Sequence, residues 1–111
     1  MDPDIRYVEL IDDKGKIIFN KIKEGKYRLT KEVEEAILAA DLSVVRRIHE
    51  ILDGSLGKIS SIHITREKIH QLIFYTDTKI LYVSTEKNIS VAKLPEISRE
   101  IESLVKSGGL A

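Results

Sequence analysis

Histidine is the residue type of this chain whose side chain most readily does chemistry, and it occurs at His49, His63 and His70. If the chain turns at Arg66-Glu67, His63 and His70 become cross-strand neighbours on one face of a hairpin. Two imidazoles at that distance can contact a metal ion, but a zinc site needs at least three protein ligands, and no third is placed beside them. The pair therefore predicts a structural contact, or one mildly sensitive to pH, and no metal site.

The other candidates for catalysis lack the neighbours that their chemistry requires. Gly54 and Gly57 in "DGSLGK" do not form a phosphate loop, because the full motif is absent and the segment follows a helix and precedes a strand. Asp12 and Asp13 are typical of a turn, since a calcium loop needs more oxygen ligands at alternate positions. No serine lies in a G-x-S-x-G motif, and His70 lacks a partner for acid or base catalysis. The sequence predicts no enzyme, no catalytic residue and no cofactor.

Size and charge exclude further classes of function. A chain of 111 residues predicts a single domain over 1–111, with an ordered core at about 5–106. Its 18 basic residues balance 18 acidic ones, and no basic stripe marks a nucleic-acid surface. No run of 18 apolar residues exists and cysteine is absent, so we expect no membrane insertion and a cytoplasmic location.

The apolar pattern predicts an α+β protein with the element order β-β-α-β-β-β-α. The predicted strands are Ile5–Ile11, Lys16–Ile22, Lys58–Thr65, Ile69–Tyr75 and Ile80–Thr85, and the predicted helices are Thr30–Leu52 and a C-terminal helix with Pro95 in its first turn. In the first hairpin we expect Leu10 to pair with Ile17 and Val8 with Phe19. The last hairpin is apolar on both faces, which predicts the middle of a sheet with a helix on each side.

The long helix is apolar over an arc of about 200°, twice what packing on a sheet requires. We assign one stripe to the sheet, consisting of Val33, Ile37, Ala40, Val44, Ile48 and Ile51. A second stripe contains Leu38, Leu42, Val45 and Leu52, with His49 beside it. It is assigned to contact with a second copy of the chain, because exposed apolar patches mark interfaces. The alternative is that a curved sheet and the loop "KEGKYR" cover the helix within one chain.

The element order and the segment "REKIHQLIFYTDTKILYVSTEKNIS" resemble the roadblock/LC7 superfamily, whose small domains include MglB and relatives of dynein light chains. Within it, the segment is most similar to small uncharacterised archaeal roadblock-like proteins, although a helix before the first strand is missing here. The resemblance implies a five-stranded antiparallel sheet with two hairpins side by side. It further implies a homodimer formed by the long helix and by the edge strand Lys58–Thr65, acting as a non-enzymatic scaffold or regulator for a small Ras-like GTPase or a signalling or trafficking complex.

Together these arguments predict a dimer interface on the second helical stripe and the edge strand. Its predicted residues are Leu38, Leu42, Val45, His49, Leu52, Ile59, Ser61 and His63. The alternative function is a small-molecule sensor of PAS-like or profilin-like shape, with its ligand in a cavity between sheet and helix. Only His63 and His70 suggest themselves as polar groups for such a cavity.

Overall fold

The computed structural model describes residues 3–26, 29–90 and 92–106, with the side chains of 102 and 104–106 left out. The strands are β1 (Ile5–Asp12), β2 (Ile17–Ile22), β3 (Ser61–Thr65), β4 (Ile69–Tyr75) and β5 (Lys79–Glu86). The helices are α1 (Glu32–His49), α2 (Asp53–Leu56) and α3 (Lys93–Lys106), and a 3₁₀ turn at Glu50–Leu52 joins α1 to α2. The predicted element order is confirmed, apart from the short turn and α2. The tail that follows α3 lies outside the described residues.

The five strands form one sheet in the order β2-β1-β5-β4-β3, and every neighbouring pair is antiparallel. The β1–β2 hairpin and the β4–β5 hairpin lie side by side because β1 pairs with β5. This arrangement confirms the predicted five-stranded antiparallel sheet. It leaves β2 and β3 as the two edge strands.

The β4–β5 hairpin lies in the interior of the sheet, as its two apolar faces predict. Phe74 is opposite Leu81 on one face, and Ile73 is opposite Tyr82 on the other. The first face packs against α3 through Leu94, Ile97 and Ile101, and the second packs against α1. The α1-side core consists of Tyr7, Ile11, Ala39, Leu42, Ile73, Ile80 and Tyr82. Two helices therefore cover opposite faces of the sheet.

The pairing of β1 with β2 differs from the prediction. Leu10 is opposite Phe19 rather than Ile17, and a bulge between Leu10 and Ile11 shifts the register there. The Asp12 carboxylate accepts hydrogen bonds at 2.9 Å from the backbone N–H groups of Lys14 and Lys16, which fixes the turn before β2 begins. A bulge inserts a residue that periodicity alone does not reveal. Phe19 is consequently half exposed on an edge strand.

The ends of the long helix also differ from the prediction. It begins at Glu32, not at Thr30, and the backbone N–H of Lys31 donates to the Glu34 carboxylate at 3.0 Å. The Thr30 hydroxyl instead donates to Glu35 at 3.1 Å. Helical turns continue past the predicted stop at Asp53-Gly54 and end at Gly57, whose φ of 82° is one that residues other than glycine rarely adopt.

The two faces of α1 are the reverse of those predicted. Ile37 is 64% exposed and Ile48 61%, although both were assigned to the sheet, whereas Leu42 is 4% exposed and packs within its own chain. The α1 residues that are buried are Glu35, Ala39, Leu42 and Ser43. The physical reason is that Ser43 and Arg46 donate hydrogen bonds to backbone oxygens of the two hairpin turns, which fixes their side of the helix against the sheet.

Candidate interaction surface

A continuous apolar strip on the outer side of α1 and of the turn after it is the main unpartnered feature of the described residues. We call it the α1 face, and it consists of Val33, Ile37, Val44, Ile48 and Ile51. Spacings of three, four and seven residues place these side chains along one side of a helix. All five are classed as exposed, and Ile51 reaches 83%. Contiguous aliphatic surface of this kind marks an interface.

Buried polar groups on the sheet explain why this strip points outward. Glu9 lies opposite Tyr82 in the sheet and accepts a hydrogen bond from the Tyr7 hydroxyl at 2.9 Å. The Gln71 side-chain amide donates to the Tyr82 hydroxyl at 2.5 Å, and Nε of Arg66 donates to the Gln71 carbonyl oxygen. If the aliphatic side of α1 faced the sheet, these buried polar groups would have only apolar neighbours on the helix side, which is energetically unfavourable.

Further polar contacts fix the rotation of α1 about its axis. The Ser43 hydroxyl donates to the backbone oxygen of Asp13 at 3.2 Å. The Arg46 guanidinium donates to the backbone oxygens of Lys79, at 3.2 Å, and Thr76, and it stacks over the Tyr75 ring at 5.2 Å. Both hairpin turns on this side of the sheet therefore contact the same side of α1. The apolar side is left facing outward.

The structure distributes the predicted interface residues over three environments. Leu42 is buried in its own chain, so assigning it to the interface was wrong, and Leu38 and Val45 are partly buried beside it. His49 and Leu52 are exposed near the end of α1, and Ile59 is partly exposed before β3. Ser61 and His63 are exposed on β3. Sequence reasoning missed the α1 face as a surface, although it identified those residues as one stripe.

Strand β3 begins at Ser61, three residues later than predicted, and it alternates two kinds of side chain. Ile62 and Ile64 pack against the α1-side core, so Ser61, His63 and Thr65 point to the α3 side of the sheet. Strands of this alternating type present backbone donors and acceptors at their open edge. β3 is therefore a second surface suited to contact with another chain.

The side chains of His63 and His70 are in contact, but the predicted direct pairing of the two residues is wrong. The turn lies one residue later than Arg66-Glu67, so His63 is opposite Leu72. Nε2 of His63 lies 2.9 Å from Nδ1 of His70, although the backbone partner of His70 is Thr65. Burial lowers the pKa of His63, and the neighbouring charges of His70 and Lys87 lower it further. Among the described residues, no group of three or more His, Cys, Asp or Glu side chains is arranged to bind a metal ion.

A cleft of about 570 Å³ lies between the sheet and the N-terminal half of α1. Its polar lining includes Tyr7, Glu35, Gln71 and Tyr82, and aliphatic side chains such as Leu38 supply much of the rest. His63 and His70 do not line it, because they project from the opposite face of the sheet. The prediction that His63 and His70 supply the polar groups of a sensor cavity is therefore wrong.

The fold has clear counterparts among solved structures. A roadblock/LC7 domain from Streptomyces avermitilis matches with a TM-score of 0.69 at 14% identity, covering 95% of this chain and 82% of that one. An MglB structure described as having a tetrameric arrangement matches with a TM-score of 0.69 at 14% identity, over 86% of this chain and 70% of that one. Schizosaccharomyces pombe profilin matches with a TM-score of 0.62 at 13% identity, over 95% and 88%.

No protein-family model matches the sequence, and no curated protein matches it either. The structural comparisons nevertheless show that this chain has the fold of roadblock/LC7 domains. The strand order of the sheet and the helix on each of its faces define this class of fold. None of the described helices is both long enough and apolar enough to cross a membrane.

Proposed function

We propose that this chain is a non-enzymatic homodimeric scaffold or regulator for a small Ras-like GTPase or for a signalling or trafficking complex in the cytoplasm. It would then be related to the small archaeal roadblock-like proteins that its central hairpin resembles. The observation that carries the proposal is the α1 face, an aliphatic strip held outward by polar contacts on the opposite side of the helix. The tetrameric arrangement of one MglB structure supports self-association in this fold.

The α1 face suits contact with an identical helix. A two-fold axis would place Ile37, Val44 and Ile48 of each chain against the same residues of its copy. Each aliphatic side chain that becomes fully buried contributes about 1.5 to 3 kcal/mol. The burial of such side chains opposes an association cost of about 4 to 15 kcal/mol. The proposed interface thus moves from the Leu42 side of α1 to the opposite side.

The first test is the mass of the particle in solution. Light scattering after size exclusion at micromolar concentration should give twice the chain mass for the wild type and the monomer mass for Ile37→Glu and Val44→Glu. Both variants should retain the circular dichroism of the wild type, because these side chains are exposed in one chain. Arg99→Glu, which introduces the same group at an exposed position of α3, should remain dimeric. A wild-type protein that is monomeric at every concentration would exclude the proposal.

The second test concerns the partner. The GTPase is proposed from the roadblock resemblance, so it requires its own experiment. Tagged wild-type protein should retain a Ras-like GTPase from a lysate of the source cells, identified by mass spectrometry. The Arg99→Glu variant, which should stay folded and dimeric, should retain the same GTPase, and the tag alone should not. Recovery of other proteins only, with no GTPase, would contradict this part of the proposal.

A second candidate function is small-molecule sensing, favoured by the cleft under the N-terminal half of α1. Its volume of about 570 Å³ is in the range of ligand-binding pockets, and the fold is shared with profilin. Native mass spectrometry of purified protein should then show a retained small molecule. Asp41→Trp, which places a large ring at the exposed margin of the cleft, should remove that mass without unfolding the chain. A wild-type spectrum with the bare chain alone would count against this function.

A further inference from the structure

Strand β2 has a row of backbone hydrogen-bonding groups along its outer side. It is an edge strand, and among the described strands it pairs only with β1. The backbone N–H of Lys23 donates to the oxygen of Arg6 at 2.8 Å, which continues the β1–β2 ladder. Because the groups of an antiparallel strand alternate in direction, those of Lys21 also face β1. The N–H and C=O groups of Asn20 and Ile22 therefore face outward.

Large apolar side chains are half exposed along the same strand. Ile18 is 52% exposed and Phe19 is 48% exposed. Phe19 lies opposite Leu10, which belongs to the core on the α3 side of the sheet, so the Phe19 ring lies on that side. Lys21 lies opposite Val8 and points to the same side. An open edge with exposed large apolar side chains is a template for another strand.

Positive charge is concentrated on this edge. The segment 14–23 contains four lysines and no acidic residue, although basic and acidic residues balance in the whole chain. Of these lysines, Lys14, Lys16 and Lys21 are exposed. Lysines on an edge strand keep identical edges apart, because like charges repel each other when two copies approach. A second copy is therefore disfavoured on β2, whereas a strand of opposite charge is attracted to it and can also cover Phe19.

We propose that the open edge of β2 binds an extended acidic segment of a partner protein, which adds to the sheet as a sixth strand. The charge of the edge selects the charge of the partner, and the outward backbone groups require its extended conformation. This inference goes beyond the proposed scaffold function. It does not depend on the homodimer, because β2 and the α1 face share no residue.

The register of β2 specifies the side chains that the added segment should carry. Residues of the segment opposite Phe19 and Lys21 are two positions apart and point to the same face of the sheet. An aliphatic side chain at the first of these positions covers the Phe19 ring, and a carboxylate at the second pairs with the Lys21 ammonium. The residue between them lies opposite Asn20 and points to the α1 side. The expected motif is an aliphatic residue two positions from an acidic one, in either chain direction.

Backbone and side chains contribute differently to this binding. The outward groups of Asn20 and Ile22 bond to any extended chain, so they supply affinity without a sequence preference. The contacts with Phe19 and Lys21 supply the preference. Exposed ion pairs are screened by salt, so the acidic residue should matter more at low ionic strength than at high ionic strength.

The sequence preference is tested by selecting phage-displayed random peptides on the immobilised protein at low salt. Retained peptides should be enriched in Asp or Glu two positions from Val, Ile or Leu. On Lys21→Glu, the acidic residue of that motif should be replaced by Lys or Arg. Lys68→Glu, which changes an exposed lysine of the β3–β4 turn, should keep the wild-type preference. Enrichment of basic or purely apolar peptides, or no enrichment at all, overturns the proposal.

The position of the selected peptide is tested by amide hydrogen exchange. At saturation, the peptide should slow exchange at Asn20 and Ile22 by about tenfold or more, because their N–H groups face outward in the free chain. The amides of Phe19 and Lys21, which already face β1, should change little. Slower exchange on β3 alone would place the peptide on the other edge and overturn the proposal. Slower exchange at Asn20 and Ile22 that grows with protein concentration, without peptide, would assign the edge to a second copy.

The affinity of the labelled peptide, measured by fluorescence anisotropy, tests the side-chain contacts. Phe19→Ala should weaken binding about tenfold, because the covered ring surface is lost. Ile37→Ala, which removes an exposed apolar side chain of the α1 face, should leave the affinity unchanged. The opposite result would move the peptide to the α1 face and overturn the proposal. A monomeric wild type that binds the peptide as described would exclude the homodimer and retain this inference.

Discussion

The Tyr7 hydroxyl donates a hydrogen bond to Oε1 of Glu9 at 2.9 Å, in the layer between the sheet and α1. Glu9 has no exposed surface, and its Oε2 has no hydrogen-bond partner among the described residues. Burial raises the pKa of Glu9 to about 7, against the lowering effect of the Tyr7 hydrogen bond, and the charge of Glu35 raises it further. The same burial, with the bond to Glu9, raises the pKa of Tyr7 far above its ordinary value. The carboxyl group is therefore held where its charged form is unfavourable.

Glu9 should make the free energy of unfolding decrease as pH rises from about 4.5 to 7. The folded chain holds the Glu9 proton up to a pKa of about 7, whereas the unfolded chain releases it near the ordinary value of 4.5. The stabilisation that this proton contributes is therefore complete below the ordinary pKa of 4.5. It is lost as the pH rises through the folded-state pKa of about 7. The change should be on the order of 3 kcal/mol. Urea unfolding at a series of pH values measures it.

Glu9→Gln is the variant that isolates this effect, because its amide does not titrate. The slope between pH 4.5 and 7 should become much smaller, while the exposed control Glu96→Gln should keep the wild-type slope. Equal slopes in the wild type and Glu9→Gln would show that the buried carboxyl does not bind its proton as described. The comparison also separates Glu9 from His63, since acid favours the fold through Glu9 and opposes it through His63.

The buried polar layer explains why α1 was oriented incorrectly from sequence. Hydrophobic periodicity assumes that the more apolar side of a helix faces the core. Here the helix side with Glu35, Ala39, Leu42 and Ser43 is buried, over a sheet face that carries Glu9 and Gln71 as well as apolar side chains. Which sheet face lies under a helix is a tertiary fact that the helix sequence does not contain. The wide apolar arc correctly predicted an exposed stripe but not which stripe it is.

The β4–β5 hairpin was predictable for the opposite reason. Its alternation is strict, and the polar segment "TDTK" fixes the turn, so the pairings of Leu72 with Val83 and Ile73 with Tyr82 follow. The register of β3 with β4 did not follow in this way, because the turn lies at Glu67-Lys68 rather than at Arg66-Glu67. In β1–β2, the bulge after Leu10 removed that regularity. Local pairing was predicted correctly where the turn position could be read from the sequence, and it failed where the turn was misplaced by one residue or a bulge intervenes.

Gly15 should be far less tolerant of alanine than Gly25. Both have a φ near 84°, at 85° and 83°, so alanine meets similar backbone strain at each, about 1 to 2 kcal/mol. At Gly15 an added Cβ would also lie 3.2 Å from Cα of Ala40 and 3.2 Å from Cβ of Ser43, whereas nothing lies within 4 Å at Gly25. Gly15→Ala should therefore destabilise more, by about 1 kcal/mol or more beyond Gly25→Ala. Paired urea titrations measure the difference in the free energy of unfolding. Equal losses for the two variants would show that the turn at Gly15 is not in close contact with α1.

Leu42 and Ile48 should respond differently to protein concentration. Leu42→Ala empties a buried site and should cost about 2 to 5 kcal/mol at any concentration. Ile48 is exposed in one chain, so Ile48→Ala should change stability little in dilute solution. If the α1 face forms the dimer, the loss of stability caused by Ile48→Ala should grow with protein concentration, because unfolding is then coupled to dissociation. Thermal unfolding over a hundredfold concentration range tests this, and the reverse pattern would restore the Leu42 stripe as the interface.

Arg46 should be more sensitive to lysine than its neighbour Arg47. The Arg46 guanidinium donates to the backbone oxygens of Lys79 and Thr76 and stacks over Tyr75, so it joins α1 to the β4–β5 turn. A lysine ammonium keeps the charge but cannot reproduce a planar group with separate donors aimed at two carbonyls. Arg46→Lys should cost about 1 to 3 kcal/mol in urea unfolding.

Arg47→Lys is the matched control for that loss, because Arg47 is exposed on the same helix and should tolerate lysine within about 0.5 kcal/mol. Since Arg46 helps to set the rotation of α1, Arg46→Lys should also weaken the dimer, although Arg46 lies on the side of the helix away from the α1 face. Sedimentation of both variants measures that second effect. A large loss of stability with an unchanged dissociation constant would show that the α1 face keeps its orientation without Arg46, through the Ser43 contact and the core around Leu42.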